Sequence, residues 1–266
     1  MSHLVYPTAA PLIWNPRMPG GMRDELAFCG GTEFPGTTRY NDASGRDNTG
    51  TLTGMDPATD WGWDSWLQQW TLDFDGSDDV VTSAYSPING LTTMSCSFWV
   101  NQRSTGGSAY GMWIGSKTAY NAATGFFIGR DIGGFDQCFF CGTKQTFPQT
   151  IAAWQHLAFL WSSGAPVQIF RNGVLVATSS NISGTLGNFQ LELGNNTTNA
   201  LAAACSIADP LIFNRALTPP EIQWLADPTH HLRVPWRRTV WPVVSAGPTF
   251  NPAWARNCNN LIGAGI

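Results

Sequence analysis

Short runs of alternating apolar and polar residues recur from Thr49 to about Phe213, and they constrain the fold more than any other feature of this 266-residue chain. Gly, Asn and Ser separate the runs. Many evenly spaced strands without helices between them are typical of an antiparallel sandwich or jelly roll. The predicted strands are Thr71–Phe74, Met94–Val100, Gly111–Ile114, Phe126–Gly129, Gln155–Trp161, Val167–Arg171, Val174–Thr178, Phe189–Leu193 and Cys205–Phe213.

The strongest local signal is the segment Val167–Ala177. In it, the two residues Asn172 and Gly173 separate two apolar runs. Asn and Gly both accept the positive φ that a type I′ turn requires at its two central positions. The sequence therefore predicts a tight β-hairpin with Asn172 and Gly173 as its turn.

A single helix is predicted to follow Thr218. Thr218 is a suitable N-cap, and Pro219 suits the first helical position because its missing N–H is not needed there. Glu221 lies three residues after the cap and completes a capping box. Pro228 then ends the helix.

The composition changes on either side of the predicted strands and helix. Residues 1–38 contain many prolines and glycines and show no sustained periodicity, which indicates an extended arm. Residues 228–266 contain no Asp or Glu but several arginines and tryptophans. We therefore expect an all-β domain at residues 39–227, with one short helix and with extended arms at 1–38 and 228–266.

The overall charge excludes some partners and compartments. The net charge is −4 and only 12% of residues are charged, so we expect neither nucleic-acid binding nor attraction to an anionic membrane. No run of eighteen apolar residues predicts a membrane helix, and the N-terminus does not resemble a signal peptide. The six scattered cysteines are expected to be free thiols. These features favour synthesis and assembly in a cytoplasm.

Several motifs together resemble the LamG-like (concanavalin A-like) jelly-roll family. They are the stretches Asn41–Leu52, Leu72–Val81, Trp154–Ala158, Ile169–Gly173 and Ile207–Ile222, and they follow one another in the order that the family shows. The resemblance covers about residues 40–227. It implies a two-sheet antiparallel sandwich closed by a short helix, with terminal segments that pair near each other.

The acidic stretch Leu72–Val81 has two interpretations. Some glucanases of the same superfold carry acidic residues with the spacing E-x-D-x-x-E, and Asp73, Asp75 and Asp78 have that spacing. However, Asp is shorter than Glu, and retaining hydrolysis needs carboxyl groups roughly 5–5.5 Å apart on both sides of the bond. Strand alternation and turn capping explain the same aspartates. We therefore predict no enzymatic activity, with a glycoside hydrolase as the second alternative.

The first alternative function is a carbohydrate-binding module, associated with a phage tail or on a cell surface. Aromatic side chains in loops can stack on sugar rings, and the candidates are Trp61, Trp63, Trp66, Tyr110 and Trp113. The same side chains could instead fill the core or a contact between subunits, and the sequence favours that use.

The resemblance also implies a structural calcium ion, because LamG-like domains often hold one. Asp42 and Asp209 match two of the family's ligands. Ala208 replaces the first member of an acidic pair, which removes one oxygen ligand from a site that needs several. No other cofactor is predicted.

Two C-terminal stretches, Pro235–Pro242 and Phe250–Ile262, resemble the C-termini of LamG-domain proteins encoded by bacteriophages. That resemblance implies a non-catalytic virion component, predicted here as a capsid decoration (cement) protein that assembles in the host cytoplasm. Its expected partners are the major capsid protein and further copies of itself. Trp and Arg commonly anchor interfaces, and the predicted contact residues are Arg233, Trp236, Arg237, Arg238, Trp241, Trp254 and Arg256.

Overall fold

The structure is a computed structural model that describes residues 12–15, 17–31, 36–107, 110–116, 123–131, 133–196 and 201–235. Besides a 3-10 turn at Arg23–Glu25, it contains one helix, α1 (Pro219–Leu225), in this part of the chain. The strands are β1 (Leu12–Trp14), β2 (Leu26–Gly31), β3 (Arg39–Asp42), β4 (Gly50–Thr53), β5 (Trp61–Asp64), β6 (Gln69–Asp75), β7 (Val80–Ser83), β8 (Thr93–Gly107), β9 (Met112–Ser116), β10 (Phe126–Arg130), β11 (Phe135–Phe140), β12 (Thr143–Pro148), β13 (Trp154–Ser162), β14 (Ala165–Arg171), β15 (Val174–Ile182), β16 (Glu192–Leu193), β17 (Ala203–Phe213) and β18 (Arg233–Pro235).

The main body pairs its strands in the order β12-β11-β10-β9-β16-β7-β4-β3-β2-β17-β8-β13-β14-β15. Strand β6 pairs with β17, and β5 pairs with β6. Strands β1 and β18 pair separately with each other. The registered pairs of the main body are antiparallel. One sheet contains β3, β4, β7, β16, β9, β10, β11 and β12, the other contains β2, β17, β6, β5, β8, β13, β14 and β15, and the pairing of β2 with β3 joins them. The all-β, two-sheet antiparallel jelly-roll prediction is therefore confirmed.

The two sheets enclose one large apolar core. Aromatic rings from both sheets meet there: Phe98 on β8 lies 6.3 Å from Trp113 on β9, and Phe140 on β11 stacks on Trp161 of β13 at 6.0 Å. All four side chains are essentially fully buried. Removing large aromatic surfaces from water is the main stabilising contribution in such a core.

The predicted hairpin is present between β14 and β15. Asn172 has φ 49° and Gly173 has φ 79°, and Arg171 pairs directly with Val174. The Asn172 side-chain oxygen also accepts a 2.8 Å hydrogen bond from the backbone N–H of His156. The turn is therefore fixed both by its own conformation and by the neighbouring strand β13.

Replacing Gly173 with valine is expected to destabilise the protein by roughly 1–3 kcal/mol, because a β-branched residue is strained at positive φ. A Cβ at this position meets only ordinary contacts at 3.5 Å, from Gln223 and Ala226. Urea denaturation measures the loss. An unchanged free energy of unfolding would contradict the primed turn.

Helix α1 begins as the sequence predicts. The Glu221 carboxylate accepts a 2.7 Å hydrogen bond from the Thr218 backbone N–H, and it forms an ion pair with Arg215 at 2.6 Å. The hydrogen bond from Arg215 is the main reason that the pKa of Glu221 falls to about 2. Ile222 and Leu225 of the helix pack in a second apolar cluster on the outside of the sheet that contains β13 and β17.

The N-terminal boundary predicted from the sequence requires correction. Residues 1–38 were expected to form an arm, but strand β2 lies inside the sheet between β3 and β17. All six of its residues are buried. A strand covered on both faces has a continuous apolar run instead of alternation, so the pattern of residues 26–31 did not indicate a strand.

The main body extends from Trp14 to Arg233, and residues 1–13 and 234–266 form a second unit. Leu232 is still buried in the second apolar cluster, so the body continues beyond the predicted boundary at residue 227. In the described part, Cys29, Cys96, Cys138, Cys141 and Cys205 are free thiols. No helix in the described residues is long and apolar enough to cross a membrane.

Candidate functional site

The acidic stretch follows the predicted strand alternation. Leu72 and Phe74 are fully buried in the core. Asp73 points away from the core and forms an ion pair with Arg103 at 3.3 Å. Asp75 accepts a 2.7 Å hydrogen bond from the Ser77 backbone N–H and so supports the following turn. The strand and turn therefore use these aspartates structurally.

Three of the aspartates form a compact group. The carboxylate oxygens of Asp75, Asp78 and Asp79 lie within 4.8 Å of one another. Among the described residues, no other group of three Asp, Glu, His or Cys side chains is this close together. Asp79 is buried, and burial raises its pKa to about 6, with the Asp75 charge adding to the shift. Asp73 does not belong to this group. The three aspartates with glucanase spacing are therefore not assembled as one set.

A second group of polar side chains, buried or partly buried, surrounds a small cavity on the outside of the sheet that contains β13 and β17. Ser97, His156, Asp209 and His230 contribute to its lining. The Ser97 hydroxyl lies 2.8 Å from Nε2 of His156. Burial lowers the pKa of His156 to about 3, so its imidazole is neutral and a very weak base. This pairing does not provide the activated serine of a hydrolase.

The predicted calcium ligands have other roles in this structure. Each oxygen of Asp42 accepts two hydrogen bonds: Oδ1 from the backbone N–H groups of Cys29 and Ser44, and Oδ2 from the Ser44 hydroxyl and the Asn48 N–H. A carboxylate offers about four acceptor positions, so these donors already satisfy it. Burial raises the pKa of Asp209 to about 6. The geometry of the described residues therefore does not favour a calcium ion at Asp42 and Asp209. The calcium site stays a prediction.

The hairpin of β5 and β6 displays two exposed tryptophans. Trp63 is 57% exposed and Trp66 is 52% exposed. Trp63 packs edge-on against Trp70, with ring centroids 5.8 Å apart. Trp66 packs edge-on against the buried Trp99 at 5.4 Å. Each exposed indole is therefore supported from behind by another indole.

The Asp64 carboxylate holds the loop of this hairpin in place. Its Oδ1 accepts hydrogen bonds from the backbone N–H groups of Trp66 and Leu67 at 2.9 and 2.8 Å. Its Oδ2 accepts a 2.7 Å bond from the indole N–H of Trp154 on β13. Leu67 is buried with Trp99 in a small cluster. The loop that carries Trp66 is thus fastened to the outer face of the sheet.

A row of polar side chains lies beside this loop, across three adjacent strands. The backbone register pairs Asp73 on β6 with Ser206 on β17 and Ser206 with Asn101 on β8. Asn101 in turn pairs with Trp154 on the next strand, β13. Directly paired residues point to the same face of a sheet. With strands about 4.8 Å apart, the polar side chains span roughly 10 Å.

Arg103 completes this group, named here the polar row (Asp73, Asn101, Arg103 and Ser206). Its guanidinium donates a 3.1 Å hydrogen bond to the Ser206 hydroxyl in addition to pairing with Asp73. The Arg103 and Asp73 side chains are 40% and 28% exposed. Oδ1 of Asn101 is buried and accepts no hydrogen bond. The Arg103 and Asp73 side chains of the row are therefore charged groups that a polar ligand can reach.

The other aromatic candidates do not form this site. Trp61 and Trp113 are buried in the main core, and Tyr110 packs partly buried against a separate small cluster. Sequence reasoning identified Trp63 and Trp66 as candidates but missed Asp64, Asn101 and Ser206. Only the pairing register across β6, β17, β8 and β13 brings the last two together, and a single sequence does not reveal that register.

The predicted partner-binding segment cannot be compared with this site. Arg233 lies in β18. Trp236, Arg237, Arg238, Trp241, Trp254 and Arg256 lie outside the described residues. Their role in assembly stays a prediction.

The concanavalin A-like lectin/glucanases superfamily model matches residues 74–223, which is more than half of the chain. The chain belongs to this superfamily. The match begins inside the acidic stretch and ends in helix α1, so it includes the strands that carry Asn101, Arg103, Trp154 and Ser206. No curated protein sequence matches the chain.

Solved structures of the superfamily fold cover about three quarters of the chain. Domain 4 of AbnA, an extracellular arabinanase from Geobacillus stearothermophilus in complex with arabinotriose, matches with a TM-score of 0.59 and 17% identity, covering 76% of this chain and 98% of that domain. The binding domain of Paraclostridial Mosquitocidal Protein 1 matches with a TM-score of 0.58 and 15% identity, covering 77% and 52%. The receptor binding domain of a botulinum neurotoxin C/D mosaic serotype matches with a TM-score of 0.56 and 13% identity, covering 77% and 51%. These likenesses establish the fold.

Proposed function

We propose that the protein is a non-catalytic binding protein whose ligand is a glycan, bound at Trp66 and the polar row. The exposed Trp66 indole, held rigidly beside reachable polar side chains, is the observation that carries this proposal. A sugar ring has an apolar C–H face and a rim of hydroxyl groups. An indole covers the first, and side-chain donors and acceptors bind the second.

The rigidity of the loop supports binding. The hydrogen bonds to Asp64 and the burial of Leu67 fix the position of Trp66 before a ligand arrives. Ordering the loop therefore costs little at the moment of binding, which favours affinity. The arabinotriose complex of the AbnA domain supports the choice of ligand class.

The acidic residues support a non-catalytic role. The ion pair to Arg103 occupies Asp73, whereas Asp75 supports a turn. Within the acidic stretch, Asp79 has a raised pKa, but it is only 3% exposed and accepts a hydrogen bond from the Asp75 backbone N–H. A general acid must reach the leaving oxygen of the substrate, and this carboxyl group does not.

Replacing Trp66 with alanine is expected to weaken glycan binding at least tenfold, which corresponds to about 1.4 kcal/mol, because the stacking surface is lost. Calorimetric titration with arabino-, xylo- and cello-oligosaccharides measures the change. Phe135→Ala is the matched control, since Phe135 is 50% exposed but lies on β11, far along the strand order from the polar row.

Two outcomes would contradict the proposal. One is that the wild-type protein binds none of these oligosaccharides, or that Trp66→Ala binds them unchanged. The other is that shorter saccharides accumulate during prolonged incubation, which would show hydrolysis.

A capsid-decoration role is compatible with glycan binding and remains our proposal for the C-terminal segment. The main body would bind glycan, while the basic, aromatic residues 236–266 would attach the protein to a particle. None of the relatives described above is a virion protein, so this proposal rests on the sequence alone. It requires the protein to be found in purified particles, at a copy number that matches capsid symmetry.

A further inference from the structure

We infer that the polar row selects neutral sugars with two adjacent hydroxyl groups and rejects sugars that carry a carboxylate. This inference rests on the proposed glycan-binding function and assigns the ligand class at the same site.

The first argument is the charge balance of the row. The Arg103 guanidinium could attract an acidic sugar, but the Asp73 carboxylate already lies 3.3 Å from it. A second carboxylate, that of Asp64, lies under the adjacent hairpin loop, where it holds Trp154 and the loop backbone. Among the described residues, Arg103 is therefore already paired with a carboxylate of the protein itself. A ligand carboxylate would have to compete with Asp73 for Arg103 and would meet like charge, which is unfavourable.

The second argument concerns the hydrogen bonds that the row still needs. The Asp73 side chain is 28% exposed, and its carboxylate oxygens accept hydrogen bonds but cannot donate them. A ligand hydroxyl group can donate to these oxygens, whereas a carboxylate cannot. The exposed acceptor therefore favours a ligand rich in hydroxyl groups.

The third argument is the arrangement of donor and acceptor. Arg103 and Asp73 present N–H donors and carboxylate oxygens side by side. Two neighbouring hydroxyl groups on a sugar ring match this pair, because one can donate to Asp73 while the other accepts from Arg103. Each of these hydrogen bonds involves a charged group and is stronger than a neutral one. Trp66 beside the row then covers the C–H face of the same ligand.

Matched pairs of glycans test the inference with the full chain. The probes are lactose and 3′-sialyllactose, methyl-esterified and free oligogalacturonate, and xylohexaose with and without a glucuronic acid branch. We expect the neutral member of at least one pair to bind, and its acidic partner to bind at least tenfold more weakly. Equal or tighter binding of the acidic member overturns this inference while leaving glycan binding intact. Binding of neither member in every pair overturns both the inference and the proposed function.

Two variants show whether the polar row causes the selection. Asp73→Asn removes the competing charge, so the neutral-to-acidic affinity ratio is expected to fall at least threefold, whereas Asp24→Asn removes an exposed carboxylate elsewhere and should leave the ratio unchanged. Arg103→Gln removes the charged donor of the pair and is expected to weaken the neutral glycan at least threefold. An unchanged ratio in Asp73→Asn, or unchanged affinity in a folded Arg103→Gln, overturns the assignment of the row.

Discussion

Replacing Gly194 with alanine is expected to destabilise the protein by about 2–6 kcal/mol, the sum of positive-φ strain and core overpacking. Gly194 follows β16 with φ 78°. A Cβ at this position would lie 2.0 Å from Cδ1 and 2.3 Å from Cε1 of Phe74. The Phe74 ring is fully buried in the main core, so it cannot move without displacing its neighbours. The loss is a large part of the 5–15 kcal/mol that stabilises a typical domain.

Gly134→Ala is the matched control for this variant. Gly134 also has φ 78°, but a Cβ there would meet nothing within 4 Å. This control therefore carries only the backbone strain, of about 1–3 kcal/mol. Urea denaturation of both variants separates the two contributions. Equal losses in the two variants would show that Phe74 does not press against Gly194.

Core packing at Gly194 also bears on the proposed site. Phe74 lies next to Asp73 on β6, and its backbone oxygen accepts a hydrogen bond from Arg103. A shift of the Phe74 ring would move both members of the ion pair in the polar row. We therefore expect any folded fraction of Gly194→Ala to bind glycan more weakly than the wild-type protein.

Local chemistry made the hairpin, the helix start and the alternation of the acidic stretch predictable. Asn172 and Gly173 specify their turn through their own φ preferences, and Glu221 reaches a backbone N–H only three residues away. Leu72 and Asp73 alternate because one face of β6 is buried. In each case, the residues that decide the structure are neighbours in the sequence.

The features that were missed depend on distant residues. Strand β2 lies between β17 and β3 and contributes side chains both to the main core and to the second apolar cluster, so its sequence lacks the period that marks a half-buried strand. The polar row joins Asp73, Asn101 and Ser206 through strand register. Only the structure shows that Trp63 and Trp66 are exposed whereas Trp61 and Trp113 are buried. The sequence does not distinguish them, because an indole side chain is equally suited to a protein core and to an exposed binding surface.

Stability is expected to depend on pH through Asp136, and this is the second large effect. Asp136 is on β11, where its side chain is fully buried at 3.3 Å from the Arg171 guanidinium. Burial raises its pKa to about 7, and the Arg171 charge offsets only part of that shift. Its Oδ1 accepts no hydrogen bond. Burial therefore costs the carboxylate more than its ion pair returns.

The sign of the effect follows from the direction of the shift. A carboxyl group with a folded-state pKa above its unfolded value binds its proton more tightly in the folded protein. Its contribution to stability is complete below pH 4 and is lost as the pH rises through 7. Between these limits the slope approaches 1.4 kcal/mol per pH unit, and the total is on the order of a few kcal/mol. Asp79 and Asp209 add contributions of the same sign near pH 6, whereas the lowered pKa of His156 opposes them below pH 6.5.

Asp136→Asn isolates this contribution, because asparagine resembles the protonated carboxyl group and does not titrate. We expect the free energy of unfolding of the wild type, relative to this variant, to increase by roughly 1.4 kcal/mol for each unit that the pH falls between about 6.5 and 4.5. The contributions of Asp79, Asp209 and His156 cancel in the difference. Urea denaturation across this pH range gives both curves, and Asp24→Asn controls for the loss of one negative charge. A difference that stays constant with pH, or that increases as the pH rises, would show that the ion pair with Arg171 outweighs the burial of Asp136.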